Sequence, residues 1–284
     1  MKKITLFITA ALVSSTALFA QNSNSINLKK GQKYSVQNVV STKSTTEMQG
    51  QSMEANVDAT TFYNIEVKDV AGDNYNLTNT VTGVKMSMSQ MGQEMQFDSE
   101  KKEDLDGPIG GALKEYINQP KSVVVDKSGK VVPQASPEKP DTAAAGAASM
   151  FAKQLGNFEA TGYGSGITFE PLPKDVKVGS TWSKTTTNEG VTTITNYVVK
   201  SISGDVATLA TSGTLTTDTK MEMQGMEITT KTAGKFSGEE LVDVKTGVVQ
   251  SNTSTFDTSG TIGVMGQELP TSAKVTTTTT VKVI

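Results

Sequence analysis

Lys30-Gly31-Gln32-Lys33-Tyr34-Ser35, near the start of the chain, returns past its middle as Val178-Gly179-Ser180-Thr181-Trp182-Ser183. Each hexapeptide opens a run of strand-forming residues. Each run also carries a second shared element, Val125-Asp126-Lys127-Ser128-Gly129-Lys130-Val131 in the first and Val244-Lys245-Thr246-Gly247-Val248 in the second. Ser-Gly and Thr-Gly between β-branched runs supply the positive-φ residue that a tight hairpin turn requires. Self-similarity at this scale sets the architecture before any finer reading. The sequence predicts a mainly β protein (β-rich α+β): two related antiparallel halves with long strands, half-open and barrel-like, plus two helices. Its divisions are a signal peptide over 1–20, an N-terminal β-rich repeat over 21–135, a helical and glycine-rich linker over 136–170 and a C-terminal β-rich repeat over 171–284.

Alternation supports the strands. Tyr63, Ile65 and Val67 fall on one face while Glu66 and Lys68 take the other. Tyr75, Leu77 and Val81 keep odd phase but Val84, Met86 and Met88 keep even phase, so a β-bulge is expected near Thr82 and Gly83. The last strand, from Lys274 to Ile284, puts Val275, Val281 and Val283 on one side and is expected to close or edge a sheet. Pro108 after Asp106 and Gly107 opens a short helix with the stripe Ile109, Leu113, Tyr116, Ile117, and Pro120 ends the segment. A second helix, capped by Asp141 or Thr142, carries Ala147, Phe151 and Leu155 on one face and stops at Gly156. Gly162-Tyr163-Gly164-Ser165-Gly166 reads as linker, because it lacks the Gly-Lys-Ser/Thr ending of a phosphate loop.

Composition narrows the role. Lys2 and Lys3, the apolar run from Ile4 to Leu18 and Ala20 before Gln21 form a secretory signal, so the chain is expected in the periplasm or outside the cell. The run is shorter than a spanning helix needs, and no second one follows. A membrane barrel is disfavoured because aromatic residues make up only 6% of the chain and form no girdles. Every basic residue is lysine and the balance is acidic, net −3 over the whole sequence, which argues against a nucleic-acid partner. With no histidine and no cysteine, the familiar serine and cysteine triads, the usual zinc sites and a disulfide framework are unavailable. No catalytic residue, cofactor or enzyme activity is expected. The acidic run Asp98, Glu100, Glu103, Asp104, Asp106 reads as a solvated connector. Asp104, Asp106 and Glu115 fit three positions of a calcium loop, but Pro108 and Ile109 break the match.

Methionine is the unusual feature. The chain has 12, most of them around four glycine turns, Met48-Gln49-Gly50, Met91-Gly92-Gln93, Met223-Gln224-Gly225 and Met265-Gly266-Gln267. These turns are expected at matching ends of the two halves. Thioether sulfur suits Cu(I), and Met86, Met88, Met91 and Met95, or Met221, Met223 and Met226, are the candidate ligands. Methionine also lines adaptable apolar surfaces, and Met86, Met88, Met221 and Met223 are the candidate lining of a cavity for an apolar or lipid-like ligand. A structural or protein-interaction role in the envelope, with an envelope protein as partner, is the third reading.

Taken together, Leu28-Lys29-Lys30-Gly31 with Tyr34, Phe97-Asp98-Ser99, Ser128-Gly129-Lys130-Val131, Val178-Gly179 with Trp182, and Lys245-Thr246-Gly247 resemble an uncharacterised family of exported bacterial proteins, domain of unknown function 6263. The resemblance implies export and the repeat layout and supplies no site. Long strands with two covering helices are also similar to the half-open barrels of periplasmic lipoprotein carriers, a likeness of fold alone.

Overall fold

The computed structural model describes residues 25–133 and 166–284, apart from Gln49, Met91, Glu115, Glu189, Gln224, Gly225 and Met265; the side chains of Pro108, Ala112, residues 221–223 and Met226 also fall outside the described set. The signal over 1–20, the helix expected over 141–155 and the Gly162–Gly164 stretch lie outside the described residues.

The first half comprises β1 (Lys33–Met48), β2 (Gln51–Ala71), β3 (Asn74–Gln90), β4 (Gln93–Asp98), α1 (Lys102–Asp106), α2 (Pro108–Leu113), β5 (Pro120–Asp126) and β6 (Val131–Val132). The second comprises β7 (Thr181–Asn188), β8 (Val191–Ser203), β9 (Val206–Met223), β10 (Met226–Asp243), β11 (Val249–Val264) and β12 (Gln267–Val283). All twelve strands join one antiparallel sheet in the order β6-β5-β3-β2-β1-β12-β11-β10-β9-β8-β7, with β4 on the upper part of β3. The fold is mainly β, and the sheet does not close, since β6 and β7 do not pair. One expectation is corrected: β12 is neither edge nor closure but sits mid-sheet, paired with β1 on one side and β11 on the other. Its threonines and valines suit that place, because both ladders of a central strand are hydrogen-bonded and β-branched side chains pack well on a pleated surface.

The halves repeat in hydrogen bonds as well as in words. Gly31 N–H donates to Val67 O and Gly179 N–H to Val199 O; Val67 N–H donates to Gln32 O and Val199 N–H to Ser180 O. Each half bulges at a lysine, the register slipping past Lys68 in one and Lys200 in the other. Lys127 pairs with Asp73 as Lys245 pairs with Asp205. Both hairpin glycines have the expected positive φ, 82° at Gly129 and 73° at Gly247. The anticipated bulge is at Thr82, since Phe62 pairs with Gly83 and Tyr63 with Val81.

The sheet curls. Ile26 N–H donates to Lys127 O at 2.8 Å and Asn27 N–H to Thr246 O at 3.1 Å, so two successive residues bridge the β5–β6 and β10–β11 turns. In a flat sheet β5 and β11 are five inter-strand steps apart, roughly 24 Å at 4.8 Å per step. Adjacent residues, ~3.8 Å apart, can reach both only if the sheet folds over on itself. Residues 166–173 seal the same end. Phe169 bridges to Val248 and packs on Gly129, where any side chain would meet the Phe169 Cβ at 2.6 Å. Ile26, Ile65, Leu77, Val125, Ile167 and Val248 form the core beneath the first half; Leu172, Trp182, Tyr197, Leu209 and Val242 form its counterpart beneath the second. Each large apolar side chain there contributes about 1.5–3 kcal/mol by leaving water. At the other end the turns closed by Gly50, Gly92, Gly190 and Gly266 (φ 76–79°) stand on one rim.

The first-half helix is shorter than its apolar stripe. α2 stops at Leu113, and Ile117 instead makes a bridge to Val81, ahead of the positive-φ residue Asn118 (φ 59°). The stripe still packs: Leu113 and Ile117 are buried on Val84, Met86 and Phe97. Part of the acidic connector is corrected to helix α1, whose Asp106 pairs with Lys102 and Lys114. No helix of the described residues is long and apolar enough to cross a membrane.

Candidate functional site

Directly opposed residues of antiparallel strands point to the same side, so the registers trace rows across the concave face. Nearest the sealed floor, one row runs Thr61, Asn38, Thr279, Asn252, Glu240. The next runs Ala59, Val40, Thr277, Ser254, Gly238, Thr211. Above it lie Val57, Thr42, Val275, Phe256 and Phe236, then Ala55, Ser44, Ala273, Thr258, Gly234 and Leu215. The concave face is thus polar just above the floor, mostly apolar or small in the next two rows, and threonine-rich again nearer the rim, where Met53, Thr46, Thr271, Gly260, Thr232 and Thr217 share a row. Exposure follows the same phase: on β9, Thr211 is buried, Gly213 and Leu215 are half-buried, and Ser212, Thr214 and Thr216 are exposed. The convex face carries the charges, such as Asp257 paired with Lys274.

Curvature is built into the second half through glycine. A Cβ on Gly213 would lie 1.8 Å from Ile194 O and 2.8 Å from the Phe236 ring. The missing side chain lets Phe236 settle over the backbone, where it stacks on Phe256 with centroids 5.0 Å apart. On Gly238 a Cβ would meet Thr253 O at 2.4 Å and Ser254 Oγ at 2.6 Å.

At the floor of this half lies a buried charged cluster. Glu170, 5% exposed, is held by its N–H donating to Gly247 O. Its carboxylate accepts Trp182 Nε1–H at 3.2 Å and Lys184 Nζ at 2.8 Å, and Trp182 in turn stacks on Tyr197 at 5.1 Å. Glu240, 7% exposed, accepts Asn252 Nδ2–H at 2.8 Å on Oε1, and Asn252 accepts the Ser254 hydroxyl at 2.8 Å. Burial, reinforced by the Glu170 charge, pushes the Glu240 carboxyl up to about 7; the Asn252 hydrogen bond and Lys184 pull the other way. Glu240 Oε2 and Thr211 Oγ1 are buried without a protein partner. Each such acceptor costs about 1–3 kcal/mol unless something donates to it.

The sequence candidates divide. Met86, 8% exposed, is core, packed with Leu113 and Phe97 rather than open to a ligand. Met88 and Met95 are direct cross-strand partners on the concave face, next to Val57. Met91 lies outside the described residues, as do the side chains of Met221, Met223 and Met226, whose backbones pair Met223 with Met226 and Met221 with Ile228. The acidic-run carboxylates are engaged locally, Asp98 with Lys85 at 3.3 Å and Asp106 with two lysines. A separate groove of about 380 Å³ opens on the convex side between β1–β4 and α1, with Asp58, Lys85, Asp98 and Lys101 along it. Sequence reasoning did not single out Glu170, Lys184, Thr211 or Asn252, and took Glu240 only as the neighbour of Glu239, expected on the opposite face of its strand, where the structure has it. The available signal was phase: Glu240 follows Phe236 and Gly238 inward while Lys235, Ser237 and Glu239 stay exposed.

The profile of a family of unknown function, DUF6263, matches residues 72–133 and 135–249. No curated protein matches the chain. Among solved structures the chain is similar to lipovitellin, in a structure of its lipid–protein interactions, at TM-score 0.52 and 10% identity, covering 90% of this chain and 25% of that one. This chain therefore spans a quarter of that protein, and the likeness is one of fold. It also matches the translocator domain of the autotransporter NalP from Neisseria meningitidis (TM-score 0.36, 7% identity, 89% of both chains). A third is Pseudomonas aeruginosa OccK7 (TM-score 0.29, 6% identity, 90% of this chain and 100% of that one).

Proposed function

We propose, from the premise that the chain belongs to DUF6263, a family of unknown function, that it is an exported, non-enzymatic protein that holds an apolar or lipid-like ligand on the concave face of its sheet. The observation that carries this reading is the phase-locked inner face. Above the polar floor it carries an apolar band that includes Val57, Val275, Phe256, Phe236, Ala273 and Leu215, and among the described residues both helices cover only the β3–β4 side. Apolar surface presented in a concavity, with a few polar groups converging at one end, is the usual form of a small-molecule site. Lipovitellin, a fold relative seen with lipid, is in keeping with this use of the architecture. The absence of chemistry is part of the proposal: Glu170 has its two oxygens taken by Trp182 and Lys184.

Ala273 and Ser272 are neighbours on β12 that face opposite sides, Ala273 half-buried within the concavity and Ser272 exposed. Titration with a pyrene-labelled fatty alcohol tests the reading. Ala273→Asp, which puts a charge among apolar rows, is expected to weaken binding at least tenfold, about 1.4 kcal/mol, whereas Ser272→Asp leaves it unchanged. Equal effects of the two, or no binding by the unaltered protein, would overturn it.

A further inference from the structure

We propose that the floor of the groove contains a docking notch for a primary ammonium group, centred over Gly238, with Glu240 as counter-ion and Thr211 and Ser254 as further acceptors. The notch is defined by register. Thr211 and Ser254 are the direct cross-strand partners of Gly238 on its two sides, and Glu240 stands two residues nearer the floor on the same strand and face. Phe236 stands two residues nearer the rim on the same strand and face, its ring lying over Gly213 and stacked on Phe256. Gly238 puts no side chain between them, and the Ser254 hydroxyl leans over it, its Oγ 2.6 Å from where a Cβ would stand.

Two independent observations point to a ligand. Glu240 Oε2 and Thr211 Oγ1 are buried and have no donor, and the Ser254 hydroxyl, having given its hydrogen to Asn252, can still accept. The charge is also incomplete. Lys184 and the Trp182 N–H are bound to Glu170, which leaves an ionised Glu240 facing a second carboxylate with no cation of its own.

The chemistry selects among cations. A hard metal ion needs six or more oxygens, and among the described residues no group of three or more acidic side chains could hold one. A guanidinium wants both oxygens of a carboxylate, but Glu240 Oε1 already accepts from Asn252. An alkylammonium is a compact charge with three N–H donors, one for each of Glu240 Oε2, Thr211 Oγ1 and Ser254 Oγ. On binding, the Glu240 proton is released to solvent and the ammonium N–H replaces it at Oε2. The inference rests on the groove reading only for the ligand's tail.

The test compares displacement of the pyrene-labelled fatty alcohol by dodecylamine, dodecanol and trimethyldodecylammonium, which is charged but has no N–H. Dodecylamine is expected to bind at least tenfold more tightly than the other two, and the preference to vanish in Glu240→Gln and shrink in Thr211→Val. Lysophosphatidylethanolamine run beside dodecylamine separates a lipid head group from a free amine as the source. A tail-less probe makes the two readings separable: ethylammonium at pH 6.5 should bleach the infrared band of the protonated Glu240 carboxyl in the unaltered protein and do nothing in Glu240→Gln. If dodecanol displaces the label as well as dodecylamine does and ethylammonium leaves the band intact, the notch is refuted while the groove stands. If no long-chain compound binds yet ethylammonium still ionises Glu240, the groove falls and the notch survives.

Discussion

Glu240 makes the fold's stability depend on pH in a window that no other shifted carboxylate of the described residues occupies. Burial and the Glu170 charge raise its pKa from 4.5 to about 7 in the folded chain. A carboxyl that holds its proton more tightly when folded contributes stability that is fully present below the unfolded pKa and is lost as the pH rises through the folded one. The window is therefore about pH 4.5 to 7, and a rise of roughly 2.5 pKa units corresponds to about 3 kcal/mol. Asp106 and Asp69, bonded to Lys102 and Lys30, Glu66, bonded to Lys68, and Asp98, bonded to the Glu100 N–H, are all held below their ordinary range. Their stabilisation is lost only in more acidic solution, so they leave the window clear. The assay is urea unfolding of the ligand-free protein and of Glu240→Gln at intervals from pH 4.5 to 8. The unaltered protein should lose about 3 kcal/mol relative to the variant across the series. A difference that stays constant to within about 1 kcal/mol would refute the claim that Glu240 is buried beside Glu170.

Three further outcomes follow from packing and charge. Gly213→Ala should cost at least about 3 kcal/mol in urea unfolding, because its Cβ would overlap Ile194 O; Gly111→Ala, in α2 with nothing within 4 Å, should stabilise by about 0.5–1 kcal/mol. Leu209→Ala, at a side chain 0% exposed in the second core, should cost about 2–5 kcal/mol in the same assay. Lys184→Gln should move the Glu240 infrared titration to higher pH, since Lys184 lowers that pKa; an unmoved midpoint would mean that the lysine does not reach the cluster.

Much of the fold was legible because it is written in short-range rules. The hairpins at Gly129 and Gly247 need a positive φ that their sequences advertise, and the slip in hydrophobic phase at Thr82 became the register shift between Phe62 and Tyr63. Strand order was not legible. Whether Val275, Val281 and Val283 lie at an edge or mid-sheet depends on which distant strands pair with β12, and alternation is the same in either place. The site was less legible still. Methionine drew attention as an unusual composition, yet Met86 went to the core because α2 folds over it. The cluster at Glu170 and Glu240 is assembled from residues 70 positions apart, each ordinary in its own segment; only the inward phase of Glu240 on β10 marked it.

The comparison of the halves explains why the open concavity belongs to the second. Position for position from the Asp73 and Asp205 turns, Asn79 on β3 corresponds to Thr211 on β9, and both are buried on the concave face. In the first half Gly166 closes on that position, a Cβ there meeting Asn79 Nδ2 at 3.0 Å and the Tyr63 ring at 3.2 Å, while α2 covers the surface above it. In the second half the same position faces Gly238, and no helix of the described residues follows. The first half is thus sealed by α1 and α2, which lie between β4 and β5, while the second carries glycine on its inner face at Gly213, Gly234, Gly238 and Gly260. Glycines inside strands cost stability, and here the cost is met by close approach: a neighbouring carbonyl stands 1.8–2.4 Å from where each Cβ would be. The second half can therefore curl tightly with no helix of the described residues laid over it, and the Thr211–Gly238–Ser254 row stays uncovered by α1 and α2.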